Sequence, residues 1–268
     1  MNKNIIIILI ILLIILLFFI SNNLFKNNNF ENNKIISNNT NYINKSDLQD
    51  YLIKDVDNYY KNFSDKDFKA RKVNNIEHYY NNIKLSCVDI NNNIIKILNN
   101  CINKANNKLN KYSCVGFDGS KCANILWKIG IVKDKLYEEG YPHTRHDIII
   151  IPLYLLNNKS QLVNILIHEK IHVYQKLYPE DINEYLKNNG FTKYKLRSEY
   201  NGMDNTGINT RSNPDMDEWI YKDKDGNIMM AEYIDNPKSI MDVKTIPINN
   251  SKYEHPFEFM AYDITEHL

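Results

Sequence analysis

Apolar residues along this chain follow several rhythms, and each predicts a different element. From Ile5 to Ile20 the run of Ile, Leu and Phe is unbroken. It has no polar face and as a helix would span about 24 Å, close to the hydrocarbon thickness of a bilayer. The flank Phe18-Phe19-Ile20-Ser21-Asn22-Asn23 offers only Ser21 as a small residue for cleavage, so residues 1–22 are expected to be an uncleaved transmembrane signal anchor. Residues 23–45, rich in Asn with scattered Lys and Ile, read as a flexible tether. Helical spacing then takes over. Ser46-Asp47-Leu48-Gln49 has the capping-box pattern, and Leu48, Tyr51, Leu52, Val56, Tyr59, Tyr60 and Phe63 follow at helical intervals. A second helix is predicted over Asn92–Asn110, with Ile94, Ile95, Ile97, Leu98, Ile102, Ala105 and Leu109 facing inward.

The C-terminal half is patterned differently. Asp147-Ile148-Ile149-Ile150-Ile151-Pro152 is a β-branched run closed by Pro, which predicts a strand at a sheet edge. The stretch Leu162–Leu177 is apolar, lacks Pro and Gly, and reads as a mostly buried helix. From Gly190 to Ser251, Gly, Asn, Asp and Pro are frequent, and only short strands such as Trp219-Ile220-Tyr221 and Ile228-Met229-Met230 stand out, flanking the turn-prone Lys224-Asp225-Gly226-Asn227. This stretch is expected to shape a cleft. Together the elements predict an α+β protein: a mostly helical domain over 46–268 with a small β-sheet beside the Leu162–Leu177 helix, preceded by the transmembrane helix. Within it, residues 46–140 form a helical part and 141–268 the part that carries chemistry.

Charge narrows the function. Lys plus Arg is 33 and Asp plus Glu is 32, and no basic patch interleaved with aromatics occurs, so the electrostatic footprint of a nucleic-acid partner is missing. Gly-rich phosphate loops and the nucleophile-elbow pattern are absent as well. The abundance of Asn, Ile and Lys fits an AT-rich coding sequence. Cys87, Cys101, Cys114 and Cys122 form an even set, which suits two disulfides in an oxidising compartment. Close neighbours would join Cys87 to Cys101 and Cys114 to Cys122, although four cysteines allow three pairings and four free thiols in a reducing compartment are the alternative.

The candidate chemistry lies in the buried helix. His168-Glu169-Lys170-Ile171-His172 places two imidazoles four residues apart, about 400° of turn and 6 Å of rise, so both can reach one metal ion. Glu169 is offset by about 100°, beside the metal, where a general base for water belongs. Two His and a Glu in such a helix are costly to desolvate unless a cation pairs them. A hydrolytic zinc site needs three protein ligands and one open position. Glu258 is the third candidate: in Glu254-His255-Pro256-Phe257-Glu258-Phe259-Met260-Ala261-Tyr262, Pro256 suits a helix start, and Glu258 is the charged residue among Phe257, Met260, Ala261 and Ile264. Glu180, Glu184, Glu199 and His255 compete for the role. His143 and His146 flank the Ile strand, and His143, His255 and Tyr262 are candidates to contact substrate or an oxyanion.

An HExxH helix followed by a Glu on a second helix, with Ala three positions on, resembles the gluzincin group of zinc metallopeptidases. The segments Pro142-His143-Thr144-Arg145, His168 to Gln175, Asn213-Pro214-Asp215 with Trp219, and Glu254 to Tyr262 are also similar to metallopeptidases of large DNA viruses. The resemblance covers the C-terminal half. It implies a zincin-like catalytic domain, one Zn2+ per chain held by His168, His172 and Glu258, Glu169 as general base and acid, and a substrate backbone paired with the strand beside the cleft. Two features depart from it. The spacer between His172 and Glu258 is long, and the fourth position after Glu258 is Tyr262, with Asp263 beyond, so no residue is identified to orient a zinc histidine.

The resulting expectation is a membrane-anchored zinc metallopeptidase acting on peptide or protein substrates. Residues 5–20 would contact the membrane, and the domain would be lumenal, extracellular or on a virion surface. A membrane-tethered binding or structural module without turnover, and a zinc hydrolase of a non-peptide amide, are the alternatives. The intact Glu169 favours catalysis, because a site relieved of chemistry needs no base.

Overall fold

Four successive isoleucines decide the architecture. Ile148, Ile149, Ile150 and Ile151 share the strand Ile148–Pro152 and all are buried. Strand side chains alternate between faces, so both faces need cover. Ile148 and Ile150 join Leu48, Leu52, Tyr79 and Ile83 in one cluster, while Ile149 and Ile151 join Leu98, Ile102, Leu166 and Ile171 in another. The sheet is therefore sandwiched between helices.

The structure is a computed structural model that describes residues 39–133, 135–200, 209–246 and 253–268. Among these the helices are α1 (Lys45–Lys54), α2 (Asp65–Ala70), α3 (Ile76–Ser86), α4 (Asn92–Leu109), α5 (Gly119–Asn124), α6 (Lys159–Leu177), α7 (Pro179–Asn188) and α8 (Pro256–His267). The strands are β1 (Thr40–Tyr42), β2 (Ser113–Cys114), β3 (Phe117–Asp118), β4 (Trp127–Val132), β5 (His143–Arg145), β6 (Ile148–Pro152), β7 (Thr192–Leu196), β8 (Trp219–Lys222), β9 (Ile228–Tyr233) and β10 (Val243–Ile246). The first sheet has the order β1-β4-β6-β5, with β4 parallel and β5 antiparallel to β6. A second sheet, β10-β9-β8-β7, is antiparallel, and β2 and β3 form a short ribbon. Residues Asn41–Leu268 form one compact unit.

Several expectations are corrected here. The protein is a mixed α/β structure with eight helices and three sheets among the described residues, not a mostly helical domain with one small sheet. No described helix is long and apolar enough to cross a membrane. The longest, α6, carries Lys159, His168, Glu169, Lys170, His172 and Lys176. The expected single-pass membrane protein with a lumenal, extracellular or virion-surface domain is therefore not supported by any described helix; the apolar run at residues 5–20, and the tether to residue 38, lie outside the described residues. The strand Ile148–Pro152 is internal, flanked by β4 and β5, and Pro152 is tolerated because it ends the strand.

Local signals set the helix ends. Asn44, not Ser46, caps α1 by accepting the Asp47 N–H, and the helix stops at Asp55, whose φ of 49° is left-handed, so Val56 to Phe63 do not continue it. Asn91 caps α4 through two N–H groups; of the predicted stripe Ile94, Leu98, Ile102, Ala105 and Leu109 are buried and Ile97 packs beside them, whereas Ile95 is half-exposed and Cys101 takes part instead. α1 approaches the sheet at Gly130, where a Cβ would stand 2.6 Å from Leu48 Cδ1. α6 packs against α4 and α8 and lies over β5 and β6. Its buried Lys170 donates from Nζ to the carbonyls of Ile125 at 2.7 Å and Leu126 at 3.2 Å, under the Trp127 ring. Burial lowers this amine to about 7.

The cysteines form no disulfide. Cys87 belongs to the cluster on one face of the first sheet and Cys101 to the cluster on the other. Cys122 is buried with its thiol directed at the Lys170 carbonyl, whereas Cys114 is exposed on the β2–β3 ribbon.

Candidate metal centre

α6 and α8 bring three ligand atoms together. His168 Nε2 and His172 Nε2 are 3.0 Å apart, and Glu258 Oε2 lies 3.4 Å from the first and 3.8 Å from the second. Zinc bonds of 2.0–2.2 Å to nitrogen and oxygen imply tetrahedral edges of about 3.3–3.5 Å, which these separations bracket. Histidines four apart stack on one helix face, and Glu258 enters from the first turn of α8. Pro256 opens that helix and His255 caps it, its Nδ1 accepting the Phe257 N–H at 3.1 Å.

Proton placement makes the case for a cation. The Gln175 carboxamide donates from Nε2 to the Phe257 carbonyl at 2.9 Å, so its Oε1 accepts, at 2.8 Å, from Nδ1–H of His172. Burial drives the His172 imidazole down to about 3, against the pull of Glu258, so the ring is neutral and Nε2 holds a bare lone pair. That lone pair is buried and meets a carboxylate oxygen and a second imidazole. A divalent ion satisfies all three groups at once; the donor set of two imidazoles and a carboxylate suits zinc.

Glu169 lies beside this triad. Its carboxylate is buried, and Oε2 accepts from the Thr144 hydroxyl at 2.9 Å. Burial and the neighbouring Asp215 carboxylate push it well above the usual carboxylate range, while Thr144 pulls it down. Asp215 is raised to about 6, by burial and Glu258 against Lys176. For Glu258 the burial penalty is outweighed by the hydrogen bond with His168 and the electrostatic pull of the neighbouring imidazoles, and its carboxyl is held low. The buried carboxylates of Glu169 and Asp215 and the half-buried one of Glu258 thus share one neighbourhood with the half-buried ammonium of Lys176, a shortfall of positive charge that a metal would remove.

Around the triad is a cavity of about 500 Å3. Its walls come from β5 (His143), α6 (Ile165, His168, Glu169), the 211–215 segment, the β9–β10 hairpin (Met241) and α8 (Glu258, Tyr262). Asn213 is wedged into it, donating from Nδ2 to Glu258 Oε1 at 2.9 Å and Glu254 Oε1 at 3.0 Å, while Arg211 pairs with Glu254. Arg71 and Glu138 also line the cavity, buried Arg71 pairing with Glu138 and Asp67, while buried Arg145 pairs with Asp55 and Asp57.

The remaining candidates divide. Tyr262 lies on the cavity, its ring 4.5 Å from that of His168 and stacked on Tyr253. His143 lines the cavity too, but Nδ1 donates to the Tyr141 carbonyl and Nε2 faces the Tyr137 hydroxyl, so neither nitrogen is open to an oxyanion. His255 is turned away: Nε2 donates to Asp217 at 3.2 Å, and the ring stands against Tyr221 and Phe257. His146 is exposed, and Glu180, Glu184 and Glu199 belong to no cluster able to hold a metal among the described residues. The strand beside the cleft is β5, not the Ile strand, and its free edge is filled. Thr144 N–H donates to Asp215 Oδ1 at 2.7 Å, and Thr144 C=O accepts from Lys176 Nζ at 2.8 Å, so a substrate backbone cannot pair there.

Gln175, Thr144, Asn213 and Asp215 were not identified as site residues from the sequence. Gln175 carried a legible signal, a polar residue three after His172 on the buried helix face. No known protein family, curated protein or solved structure matches the chain.

Proposed function

We propose that this chain is a zinc-dependent hydrolase that cleaves peptide bonds, with peptides or proteins as substrates and one Zn2+ held by His168, His172 and Glu258. One observation carries the reading: the three ligand atoms converge at tetrahedral spacing with the Glu169 carboxylate beside them, on the wall of a cavity. The choice of peptide bonds rests on the resemblance to gluzincins.

The bound metal supplies a Lewis acid that polarises a carbonyl and makes water acidic near pH 7. The chain's own groups do the rest. Gln175 fixes the His172 tautomer, so that Nε2 is the nitrogen that would hold the ion. Asn213 takes one Glu258 oxygen, so the other would hold the metal. Glu169 removes the proton from the attacking water and returns it to the departing amine. Tyr262, packed on His168 at the cavity surface, is the side chain assigned to the developing oxyanion.

The test is zinc content and peptide cleavage of the purified protein beside Glu258→Ala and Glu169→Gln. The expected pattern is near-stoichiometric zinc in the parent and in Glu169→Gln, loss of zinc in Glu258→Ala, and cleavage by the parent alone. Undiminished zinc in Glu258→Ala overturns the ligand set. Zinc bound normally with no peptide of a library cleaved overturns the hydrolase.

A further inference from the structure

Resting on Glu169 as the base, we infer that Thr144 and Asp215 are positioning residues that aim its carboxylate. The link is a closed ring of hydrogen bonds. The Thr144 hydroxyl reaches Glu169 Oε2 at 2.9 Å and the Glu169 carbonyl at 3.1 Å. With a single proton to give, it serves one acceptor at a time, and the carboxylate oxygen, the nearer of the two and ionised whenever Glu169 acts as a base, is the stronger. Thr144 is itself fixed on both sides of its backbone, by Asp215 Oδ1 on its N–H at 2.7 Å and by Lys176 Nζ on its C=O at 2.8 Å. Lys176 also donates to the Pro214 carbonyl at 2.7 Å, which returns the ring to α6 one turn beyond His172.

This ring does more than staple a loop. Each member reaches a group that must act either directly or through one neighbour. Thr144 holds one oxygen of Glu169, leaving Oε1 for water. Asp215 holds Thr144. Asn213, two residues earlier, holds Glu258. The tripeptide Asn213-Pro214-Asp215 therefore registers the base on α6 against the ligand on α8. Asp215 shapes the tripeptide as well, its own N–H donating to Asn213 Oδ1 at 3.0 Å. A carboxylate left to rotate in a cavity would sample several rotamers, and a displacement of about 1 Å from the productive geometry costs on the order of 100-fold in rate.

Thr144→Val keeps the shape and removes the donor. It should retain zinc and the parental melting temperature, leave KM within about twofold and lower kcat by about 10- to 100-fold, with Thr144→Ser restoring it. Asp215→Leu, which strips the Thr144 N–H of its acceptor, should lower kcat as Thr144→Val does. A second readout needs no substrate. In the cobalt-substituted protein the pH midpoint of the visible absorption band should shift in Thr144→Val and return in Thr144→Ser. If the parent cleaves no peptide, the hydrolase reading fails while the cobalt midpoint still decides the positioning role. An unmoved midpoint with unchanged kcat overturns the inference. So does loss of metal from Thr144→Val, which would make Thr144 a prop of the ligand helix.

Discussion

Nδ1 of His172 and Oε1 of Gln175 are 2.8 Å apart on successive turns of α6, and the same carboxamide reaches across to the Phe257 carbonyl on α8. Two ligand-bearing helices are thereby coupled through one side chain. Gln175→Leu should weaken zinc binding by about 10- to 100-fold, the usual effect of removing a group that orients a ligand. Competition with a chromophoric chelator measures it; affinity unchanged from the parent would show that packing alone orients His172.

Metal should also stabilise the fold, because the ligands come from two helices that pack on each other. At free zinc about a thousand times Kd the gain is about 4 kcal/mol. Thermal unfolding with and without a chelator checks this. Glu169→Gln should keep the shift and Glu258→Ala should lose it.

Acid should expose a different buried pair. Burial alone would raise the Glu138 carboxyl, but the Arg71 guanidinium at 3.0 Å and the Tyr79 hydroxyl at 2.6 Å outweigh it and hold the group at about 2, below its ordinary 4.5. The unfolded chain therefore binds the proton first. The stabilisation, on the order of 3 kcal/mol, is complete above about pH 4.5 and disappears as pH falls toward 2. Urea midpoints across pH 2–6 should drop steeply in the parent and less steeply in Glu138→Gln.

Thiol titration separates the four cysteines. Cys114 is exposed, whereas Cys87, Cys101 and Cys122 are buried, and burial pushes the thiols of Cys87 and Cys122 up to about 12. One thiol should react with Ellman's reagent in the native protein and four in denaturant without reductant. Fewer than four would mean a disulfide.

Gly130→Ala should destabilise the protein by about 1–3 kcal/mol, because the added methyl meets Leu48 Cδ1 at 2.6 Å inside a packed layer. Chemical denaturation reads the change; a neutral effect would show that α1 can move off the sheet.

What the sequence made legible was what local periodicity encodes. α4 has one apolar face and is found where its stripe predicts, and β8 and β9 flank the turn containing Gly226. Glu258 stood out because a single charge broke an apolar stripe. The Ile strand misled because Pro152 suggested an edge, whereas four buried isoleucines in a row mark a strand covered on both sides. Apolar spacing alone carries α1 past its true end, because a left-handed Asp55 leaves no trace in hydropathy. Thr144 and Asp215 are far apart in sequence and meet only through tertiary contact, so no spacing rule connects them.

The filled rim of β5 limits how a guest can be recognised. With the outward amide and carbonyl of Thr144 already spoken for, an incoming chain gains nothing by running alongside that strand. Discrimination falls to the guest's protruding groups and to the fit of the chamber they enter. The same arrangement leaves stray polypeptides no ladder to zip onto, which guards an otherwise sticky border against self-association.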